Sequence, residues 1–290
     1  MLPTLFKIGP IALHSYGLMI AIGFLVSLHF MRRDAEKAGI DPQRITDLAF
    51  GSLILGLIAT RVMHIIEYPS AYSWNDPVGW IAIWRGGLVF QGAVPAVVLY
   101  AWYKLRKWKI SFWLTADAIM PYVPLGHAFG RLGCFLNGCC YGQRSDMPWA
   151  MPFRRVPWDL SKPPTGSPAY LDHCQRYAEL SFNVNHWSYP VHPTQLYSAA
   201  LLFGICLLML ALRKKWHPFR GFLLPAYFVL YGVKRFTVEA FRGDHNPTHF
   251  GARLSDQQVI CLIFILFGAV LFFVVGRYAR ARATDAQRKQ

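Results

Sequence analysis

The sequence predicts an all-α polytopic membrane protein with seven transmembrane helices, and three observations support this fold class. Hydrophobic residues make up 54% of the 290-residue chain and charged residues only 16%, whereas a soluble domain has about 25% charged residues. Seven apolar stretches approach or reach the roughly 20 residues that a membrane-spanning helix requires. Lysine and arginine cluster in alternate connecting segments. These features exclude a disordered chain and argue against a soluble enzyme.

The predicted spans follow one another along the whole chain. The first has its basic pair, Arg32 and Arg33, after the apolar run and lacks a small-residue cleavage site. We therefore expect a retained helix rather than a removed signal peptide. The third span is short. The fourth and sixth spans contain charged residues, so hydropathy supports the fourth and sixth least. The predicted spans are 11–31, 45–66, 87–103, 115–136, 194–212, 221–241 and 257–276.

The distribution of basic residues predicts the orientation of the chain. Segments 32–44, 104–110, 213–220 and 277–290 hold seventeen Lys and Arg, whereas the opposite set of segments holds nine. Because cytoplasmic loops are enriched in Lys and Arg, we expect the N-terminus outside and the basic tail 277–290 in the cytoplasm. Segment 137–193, between spans four and five, then becomes an extracytoplasmic loop or head. We attribute the net charge of +15 to this topology rather than to nucleic-acid binding.

Several charged residues lie inside the predicted spans. A charge at the bilayer centre costs about 2.5–3.5 kcal/mol on insertion scales, and such residues usually mark function. Tyr231, Arg235 and Glu239 follow one another at intervals of four residues and share one helix face. One alternative is that Arg235 and Glu239 neutralise each other while Arg61 extends to the interface. Arg61, Arg131 and Arg235 all fall toward the outer leaflet, however, which that alternative does not predict.

Polar residues also open the spans that run inward. His14, Gln91 and His192 lie at the outer starts of spans one, three and five. Polar groups from six helices are therefore predicted at one depth, where they would form a pocket. Arginine guanidinium groups match phosphate oxygens bidentately. Between helices and open to lipid, the anion that fits is a phospholipid head group.

Six motifs occur in one order along the chain, and the most specific of them is 130–138. With these motifs the whole chain resembles the prolipoprotein diacylglyceryl transferases. They are Leu13-His14-Ser15-Tyr16-Gly17-Leu18-Met19, Arg61, Gly86-Gly87-Leu88-Val89-Phe90-Gln91-Gly92, Gly130-Arg131-Leu132-Gly133-Cys134-Phe135-Leu136-Asn137-Gly138, His192-Pro193-Thr194-Gln195-Leu196-Tyr197 and Tyr231-Gly232-Val233-Lys234-Arg235-Phe236-Thr237-Val238-Glu239.

The resemblance implies an activity at the outer side of the bacterial inner membrane. A diacylglyceryl group would pass from phosphatidylglycerol to the lipobox cysteine thiol of a preprolipoprotein signal peptide, with release of glycerol 1-phosphate and with no metal or organic cofactor. The partners implied are those two substrates and membrane lipid. Arg131 and Arg235 would hold the phosphate. The catalytic candidates are Arg131, Arg235, His14, Tyr231, Glu239 and Gln91, and the substrate-binding candidates are Tyr16, Arg61, Asn137, Gly142, His192, Gln195 and Tyr197.

The chain departs from the family at Gln91, where the family commonly has histidine, the favoured general base. Glutamine cannot accept a proton at neutral pH. The base is then His14, or Glu239 through water, or the pocket electrostatics alone deprotonate the thiol. A further alternative is a non-catalytic or altered-specificity paralogue that binds anionic phospholipid or lipoprotein precursor. A transporter would show inverted repeats and polar residues through both halves of the bilayer, and neither pattern is visible here.

Three cysteines, Cys134, Cys139 and Cys140, crowd the end of span four. Their spacing lacks the paired pattern typical of zinc sites, so it does not predict a metal. A disulfide with Cys174 on an oxidising face is one alternative. Packing of small buried side chains at a helix end is the interpretation we favour.

Overall fold

The computed structural model describes residues 4–8, 11–73, 75–82, 87, 89, 92–154, 167–177, 187–243 and 254–288. Helices dominate these residues, which confirms the predicted all-α class. Four helical stretches are long and apolar enough to cross a membrane: Ser15–Lys37, Pro42–Glu67, Thr194–Lys215 and Asp256–Ala281. The chain divides into two compact units, the first formed by Met1–Ser27 with Met120–Gln290 and the second by Leu28–Ile119.

A β-hairpin precedes the first helix. Strand β1 (Thr4–Ile8) pairs antiparallel with β2 (Ile11–His14), and Ile8 lies opposite Ile11. Helix α1 (Ser15–Lys37) begins directly after β2. The predicted span 11–31 is therefore wrong in its first four residues, because a short apolar run does not by itself distinguish strand from helix.

Helix α2 (Pro42–Glu67) belongs to the second unit. Asp41 caps it, because its carboxylate accepts a hydrogen bond from the Gln43 N–H at 2.9 Å. Pro42 occupies the first helical position, where its missing N–H leaves no helix hydrogen bond unmade. The unit continues with α3 (Pro77–Ile81), α4 (Ala93–Lys107) and α5 (Phe112–Ile119), and α4 packs against α2.

Two further predicted spans differ from the helices observed. Span 87–103 is wrong at its start, since α4 begins at Ala93 and Gly87 has a φ of +72°, outside the right-handed helical region. Span 115–136 is wrong as one continuous helix, since a 3₁₀ turn, Met120–Tyr122, separates α5 from α6 (Val123–Asn137). Pro121 and Pro124 lack the N–H groups that a continuous helix would use.

The remaining helices of the first unit are α8 (Thr194–Lys215), α9 (Leu223–Glu239) and α10 (Asp256–Arg288). They match the predicted spans 194–212, 221–241 and 257–276, and α10 continues as a helix through most of the predicted tail. Helix α9 packs against α8 and α10, and α6 packs against α8. At Gly232 a Cβ would lie 2.7 Å from the Ile265 Cγ1 atom, so this glycine permits close contact between α9 and α10.

The described parts of segment 137–193 form a packed body. Helix α7 (Pro168–Arg176) is capped by Ser167, whose hydroxyl accepts from the Tyr170 N–H. Nδ1 of the buried His173 accepts a hydrogen bond from the Tyr189 N–H at 3.2 Å, and the rings of Tyr141, Tyr177 and Tyr189 surround it. Burial lowers the pKa of His173. The side of the membrane on which this body lies stays a prediction.

Candidate functional site

The charged groups of α9 form the centre of the candidate site. Nη2 of Arg235 lies 3.0 Å from Oε2 of Glu239, one helical turn away. Nε of Arg242 lies 3.9 Å from the same oxygen, and Ser255 Oγ donates to Oε1 of Glu239 at 3.4 Å. All four side chains are buried. Arg235 and Glu239 form the ion pair that the alternative interpretation described, but a second arginine shares the carboxylate.

Positive charge exceeds negative charge around Glu239. Nζ of Lys234 and Nη1 of Arg235 are buried and have no hydrogen-bond partner in the part of the chain that the structure describes. The Lys234 ammonium lies 5.6 Å from the centroid of the Tyr231 ring, a cation–π distance. Arg131 on α6 interacts electrostatically with both Lys234 and Arg235. Since buried donors without acceptors are costly, this arrangement suits an anion with several acceptor oxygens.

An aromatic contact joins helix α6, which carries Arg131, to helix α9. The rings of His127 and Tyr231 have centroids 5.7 Å apart. Arg131 follows His127 by four residues and therefore lies on the same face of α6. Tyr231 also contacts Tyr227 at 5.7 Å, within its own helix. The structure thus brings together three of the predicted residues, Arg131, Tyr231 and Arg235, with Glu239 behind Arg235.

Tyr16 lies against the same helix α6. A Cβ at Gly133 would lie 3.0 Å from the Tyr16 Cδ2 atom and 3.2 Å from the Met19 Cβ, so glycine permits α1 and α6 to touch here. Tyr16 is 40% exposed and interacts electrostatically with Arg131. Its hydroxyl therefore belongs to the electrostatic environment of the arginine cluster.

The chain turns back on itself where α6 ends. Gly138 has a φ of +75° and caps the helix, and the Cys139 N–H donates to the Cys134 carbonyl at 3.2 Å. Asn137, the last residue of α6, lies beside Cys139. The sulfur atoms of Cys134, Cys139 and Cys140 lie within 4.8 Å of one another. The pKa of the Cys140 thiol lies below its ordinary value, because the neighbouring thiols hydrogen-bond to it and Arg242 and Arg131 lie nearby.

The first residues of α8 hold this turn in place. Gln195 Nε2 donates to the Cys139 carbonyl, and Thr194 Oγ1 donates to the Cys140 carbonyl, both at 2.7 Å. Gln195 is 1% exposed, and its Oε1 has no hydrogen-bond partner among the described residues. The amide nitrogen of this substrate-binding candidate is thus bonded to the backbone. All six cysteines are free thiols, so the expected alternative of a disulfide to Cys174 is absent.

Gly142 joins the ends of α8 and α9. Its N–H donates to the His192 carbonyl at 3.0 Å, and Gln143 N–H donates to the Phe241 carbonyl at 2.8 Å. A Cβ at Gly142 would lie 2.6 Å from the His192 carbonyl oxygen and 2.7 Å from that of Phe241. No side chain fits there. Gly142 therefore acts by permitting close contact between backbones that position His192 and Arg242.

His192 and Tyr197 belong to a short polar chain. Trp149 Nε1 donates to the Tyr197 hydroxyl at 2.6 Å, and that hydroxyl lies 3.2 Å from His192 Nδ1. The Tyr197 proton can therefore be donated to Nδ1, which would place the imidazole proton on Nε2. The His192 ring also contacts the ring of Phe241, with centroids 5.3 Å apart.

Arg61 belongs to the second unit and binds backbone there. Its guanidinium donates to the carbonyl oxygens of Trp80 at 3.1 Å, of Gly87 at 2.9 Å and of Gly79. It also lies 5.0 Å from the centroid of the Tyr72 ring. This pattern differs from simple extension to the interface, because the side chain is buried and holds the α3 segment.

The two remaining catalytic candidates are His14 and Gln91. His14 is exposed at the end of β2, two residues before Tyr16. Gln91 lies outside the described residues. Whether polar groups of both units meet at one depth stays a prediction.

The sequence-based candidates omit several residues that the structure places around the site. Arg242 follows Arg235 by seven residues, and this spacing does place it on the face of Tyr231, Arg235 and Glu239, although it was not among the site candidates. Lys234 was visible as an intramembrane charge. Ser255 and Trp149 were not among the candidates, because each reaches its partner only through the tertiary fold. Thr194 lies in a predicted motif, but its hydrogen bond to the Cys140 carbonyl depends on the tertiary fold.

Known proteins of one family are similar to this chain over almost its entire length. A family model described as prolipoprotein diacylglyceryl transferase matches residues 3–274. A phosphatidylglycerol–prolipoprotein diacylglyceryl transferase of Photobacterium profundum is 32% identical over 273 residues, which cover 93% of this chain and 91% of the relative. A protein of the same name from Pasteurella multocida is 32% identical over 283 residues, which cover 96% of this chain and 93% of the relative. One from Methylococcus capsulatus is 31% identical over 286 residues, which cover 97% of each chain.

Proposed function

This chain belongs to the prolipoprotein diacylglyceryl transferase family, and we propose that it transfers the diacylglyceryl group of phosphatidylglycerol to the lipobox cysteine of a preprolipoprotein. The lipobox sulfur attacks the glyceryl carbon that carries the phosphate. A carbon–sulfur bond forms, the carbon–oxygen bond breaks, and glycerol 1-phosphate leaves with the electron pair. The names of the relatives supply the donor and the acceptor.

The observation that carries this proposal is the unpaired positive charge beside Glu239. Arg235 uses Nη2 for Glu239 and keeps Nη1 for a ligand, while Lys234 Nζ is also without a hydrogen bond among the described residues. A phosphodiester supplies the acceptor oxygens that these donors lack. Arg131 approaches the same region from α6. These groups bind the phosphate of the lipid donor.

The same groups accelerate the reaction. Negative charge grows on the departing phosphate as the carbon–oxygen bond breaks, and cations already in position stabilise that charge without reorganising. Because the cluster is buried, its interaction with the phosphate is stronger than it would be in water. Arg131 and Arg235 are therefore the catalytic residues, and Lys234 joins them.

Glu239 acts as a positioning residue. Its oxygens contact Arg235, Arg242 and Ser255, so it orients the guanidinium that binds phosphate. This arrangement argues against the alternative in which Glu239 accepts the thiol proton. Of the alternatives raised by Gln91, His14 and the electrostatic field of the arginines remain for deprotonating the substrate thiol.

We propose that seven segments span the bacterial inner membrane, with the N-terminus outside. Besides the four long apolar helices, these are α4, the interrupted pair α5 and α6, and α9. The charged residues of α9 explain its lower hydropathy, because they belong to the site. The segment 137–193 then faces the extracytoplasmic side, where the acceptor emerges. Labelling single introduced cysteines in intact cells tests this topology.

The activity is tested with purified protein, phosphatidylglycerol nanodiscs and a synthetic lipobox peptide. We expect one glycerol phosphate released for each peptide thioether formed. A peptide with serine in place of cysteine, and nanodiscs of phosphatidylcholine alone, serve as controls without product. Lipid and peptide binding without release would contradict the proposal and favour the non-catalytic paralogue.

A further inference from the structure

The three cysteines at the end of α6 form a cluster that the phosphate site does not use. Cys134 lies in the last turn of the helix, and the left-handed Gly138 folds Cys139 and Cys140 back over it. Their sulfur atoms come within 4.8 Å of one another. Thiolates bound to one zinc ion at about 2.3 Å are themselves about 4 Å apart. Small side-chain rotations would bring the three sulfurs to that geometry.

The backbone around the cluster is held by neighbouring residues. Cys140 is one of two described non-glycine residues with positive φ, at +58°, a conformation that costs roughly 1–2 kcal/mol. Thr194 and Gln195 fix the carbonyls of Cys140 and Cys139 at 2.7 Å. Because the turn is disfavoured by itself, these bonds impose it. The three thiols are therefore arranged in advance, as metal ligands need to be.

Two arginines lie near the cluster. Arg131 and Arg242 both interact electrostatically with Cys140. Three thiolates and one divalent ion carry a net charge of −1, which the arginines compensate. Thiolate ligands select soft and borderline ions such as Zn²⁺ over hard ones such as Mg²⁺.

We infer that Cys134, Cys139 and Cys140 bind one thiophilic divalent metal ion, Zn²⁺, and that its fourth position receives the lipobox thiol. Zinc sites with three protein ligands keep such an open position. The second half of this inference rests on the proposed function. It assigns to the metal a task that the thiol substrate requires, since the thiolate and not the thiol is the nucleophile.

The lipobox thiol loses its proton to water as its sulfur binds the metal, because a coordinating thiol is deprotonated. The bound sulfur attacks the glyceryl carbon, the carbon–sulfur bond forms and the carbon–oxygen bond to phosphate breaks. The electron pair leaves on the phosphate oxygen beside Arg131 and Arg235. The thioether product is a weaker ligand than the thiolate and dissociates.

Metal binding is tested on reduced, full-length protein in nanodiscs, with Zn²⁺ for stoichiometry and Co²⁺ as the spectroscopic probe. We expect one ion per chain and a sulfur-to-cobalt charge-transfer band. Cys139→Ser and Cys140→Ser should lose both. Cys206→Ser is the matched control, since Cys206 is buried within α8 and belongs to no cluster of described metal ligands. Failure to bind one equivalent, equal binding by Cys139→Ser, or a disulfide within the cluster would overturn the inference.

The fourth position is tested by adding the lipobox peptide to the cobalt-loaded protein without lipid donor. We expect the ligand-field bands to shift with the cysteine peptide and not with the serine peptide. Transfer activity in metal-free protein would refute the metal's role and leave the proposed function standing. A peptide-dependent shift without glycerol phosphate release on addition of lipid would instead refute the proposed function. An unchanged spectrum with the cysteine peptide would overturn the assignment of the fourth position.

Discussion

Arg235 and Glu239 form a buried ion pair, with 3.0 Å between Nη2 and Oε2, in which only one side of the guanidinium is used. The other terminal nitrogen, Nη1, has no hydrogen-bond partner among the described residues. Arginine presents its donors in a rigid fork. The carboxylate therefore sets the direction in which the remaining donor points, and the phosphate site depends on a residue that need not touch the lipid.

Replacing Glu239 with glutamine should weaken both folding and lipid binding. Arg235 and Arg242 would lose their shared counter-charge, and breaking a buried ion pair costs about 3–5 kcal/mol. We expect a lower unfolding temperature in detergent and a higher apparent KM for phosphatidylglycerol. Glu36→Gln, at an exposed position of α1, is the control. Unchanged stability and KM in Glu239→Gln would contradict a positioning role.

Replacing Arg61 with methionine should loosen the second unit. Three half-buried backbone carbonyls would lose their donor, and a fully buried group left unsatisfied costs about 1–3 kcal/mol, which is an upper bound for each. We expect faster hydrogen exchange in residues 75–82, measured by mass spectrometry, with little change in exchange across α9. Arg33→Met, at an exposed position of α1, provides the comparison. Unaltered exchange around α3 would show that Arg61 does not hold this segment.

Gly142 should not tolerate even alanine. A Cβ there would lie 2.6 Å from the His192 carbonyl oxygen, and overpacking of this kind costs about 1–3 kcal/mol. Gly130 on α6 has open space where its Cβ would stand, so Gly130→Ala should be neutral or slightly stabilising. Thermal unfolding of both variants gives the comparison. Equal melting temperatures would mean that the backbone at Gly142 can move apart without penalty.

The body around α7 should lose stability as the pH falls below about 6.5. The folded state lowers the pKa of His173, so the unfolded state binds the proton first and is favoured in acid. Nδ1 also accepts from the Tyr189 N–H and must stay unprotonated for that bond. Hydrogen exchange in 167–177 between pH 7.5 and 5 measures the effect.

The variant His173→Asn is the control for that experiment. Asparagine can present an acceptor close to the position of Nδ1 and does not titrate in this range. The acid sensitivity of 167–177 should then disappear. A pH profile identical to that of the unmodified protein would assign the effect to another group.

The sequence predicted most helices because hydropathy is local, whereas the breaks depend on single residues. Pro121 lies in the 3₁₀ turn that interrupts one predicted span, and Gly87 takes a left-handed φ where another was expected to begin. The spacing of Arg235 and Glu239 predicted their pairing, since i and i+4 share a helix face.

The other contacts of the site could not be predicted from local sequence patterns. Gln195 and Thr194 were attractive as polar residues in a motif, yet their side chains donate to backbone carbonyls more than fifty residues away. The sequence showed that the three cysteines are crowded, but their spacing did not predict that the sulfur atoms lie within 4.8 Å of one another, because the turn at Gly138 is what brings them together. Such contacts between distant segments require the tertiary structure.

The most direct test of the account is the transfer rate of Arg131→Ala and Arg235→Ala, measured as glycerol phosphate release from phosphatidylglycerol with the lipobox peptide. Losing one donor to a developing anion typically costs about 10²–10³ in kcat, so we expect a loss of at least about 10² in each variant. Arg220→Ala, at an exposed arginine that follows α8, should keep the full rate. Retained activity in either Arg131→Ala or Arg235→Ala, in protein that unfolds at the normal temperature, would contradict the assignment of the phosphate site.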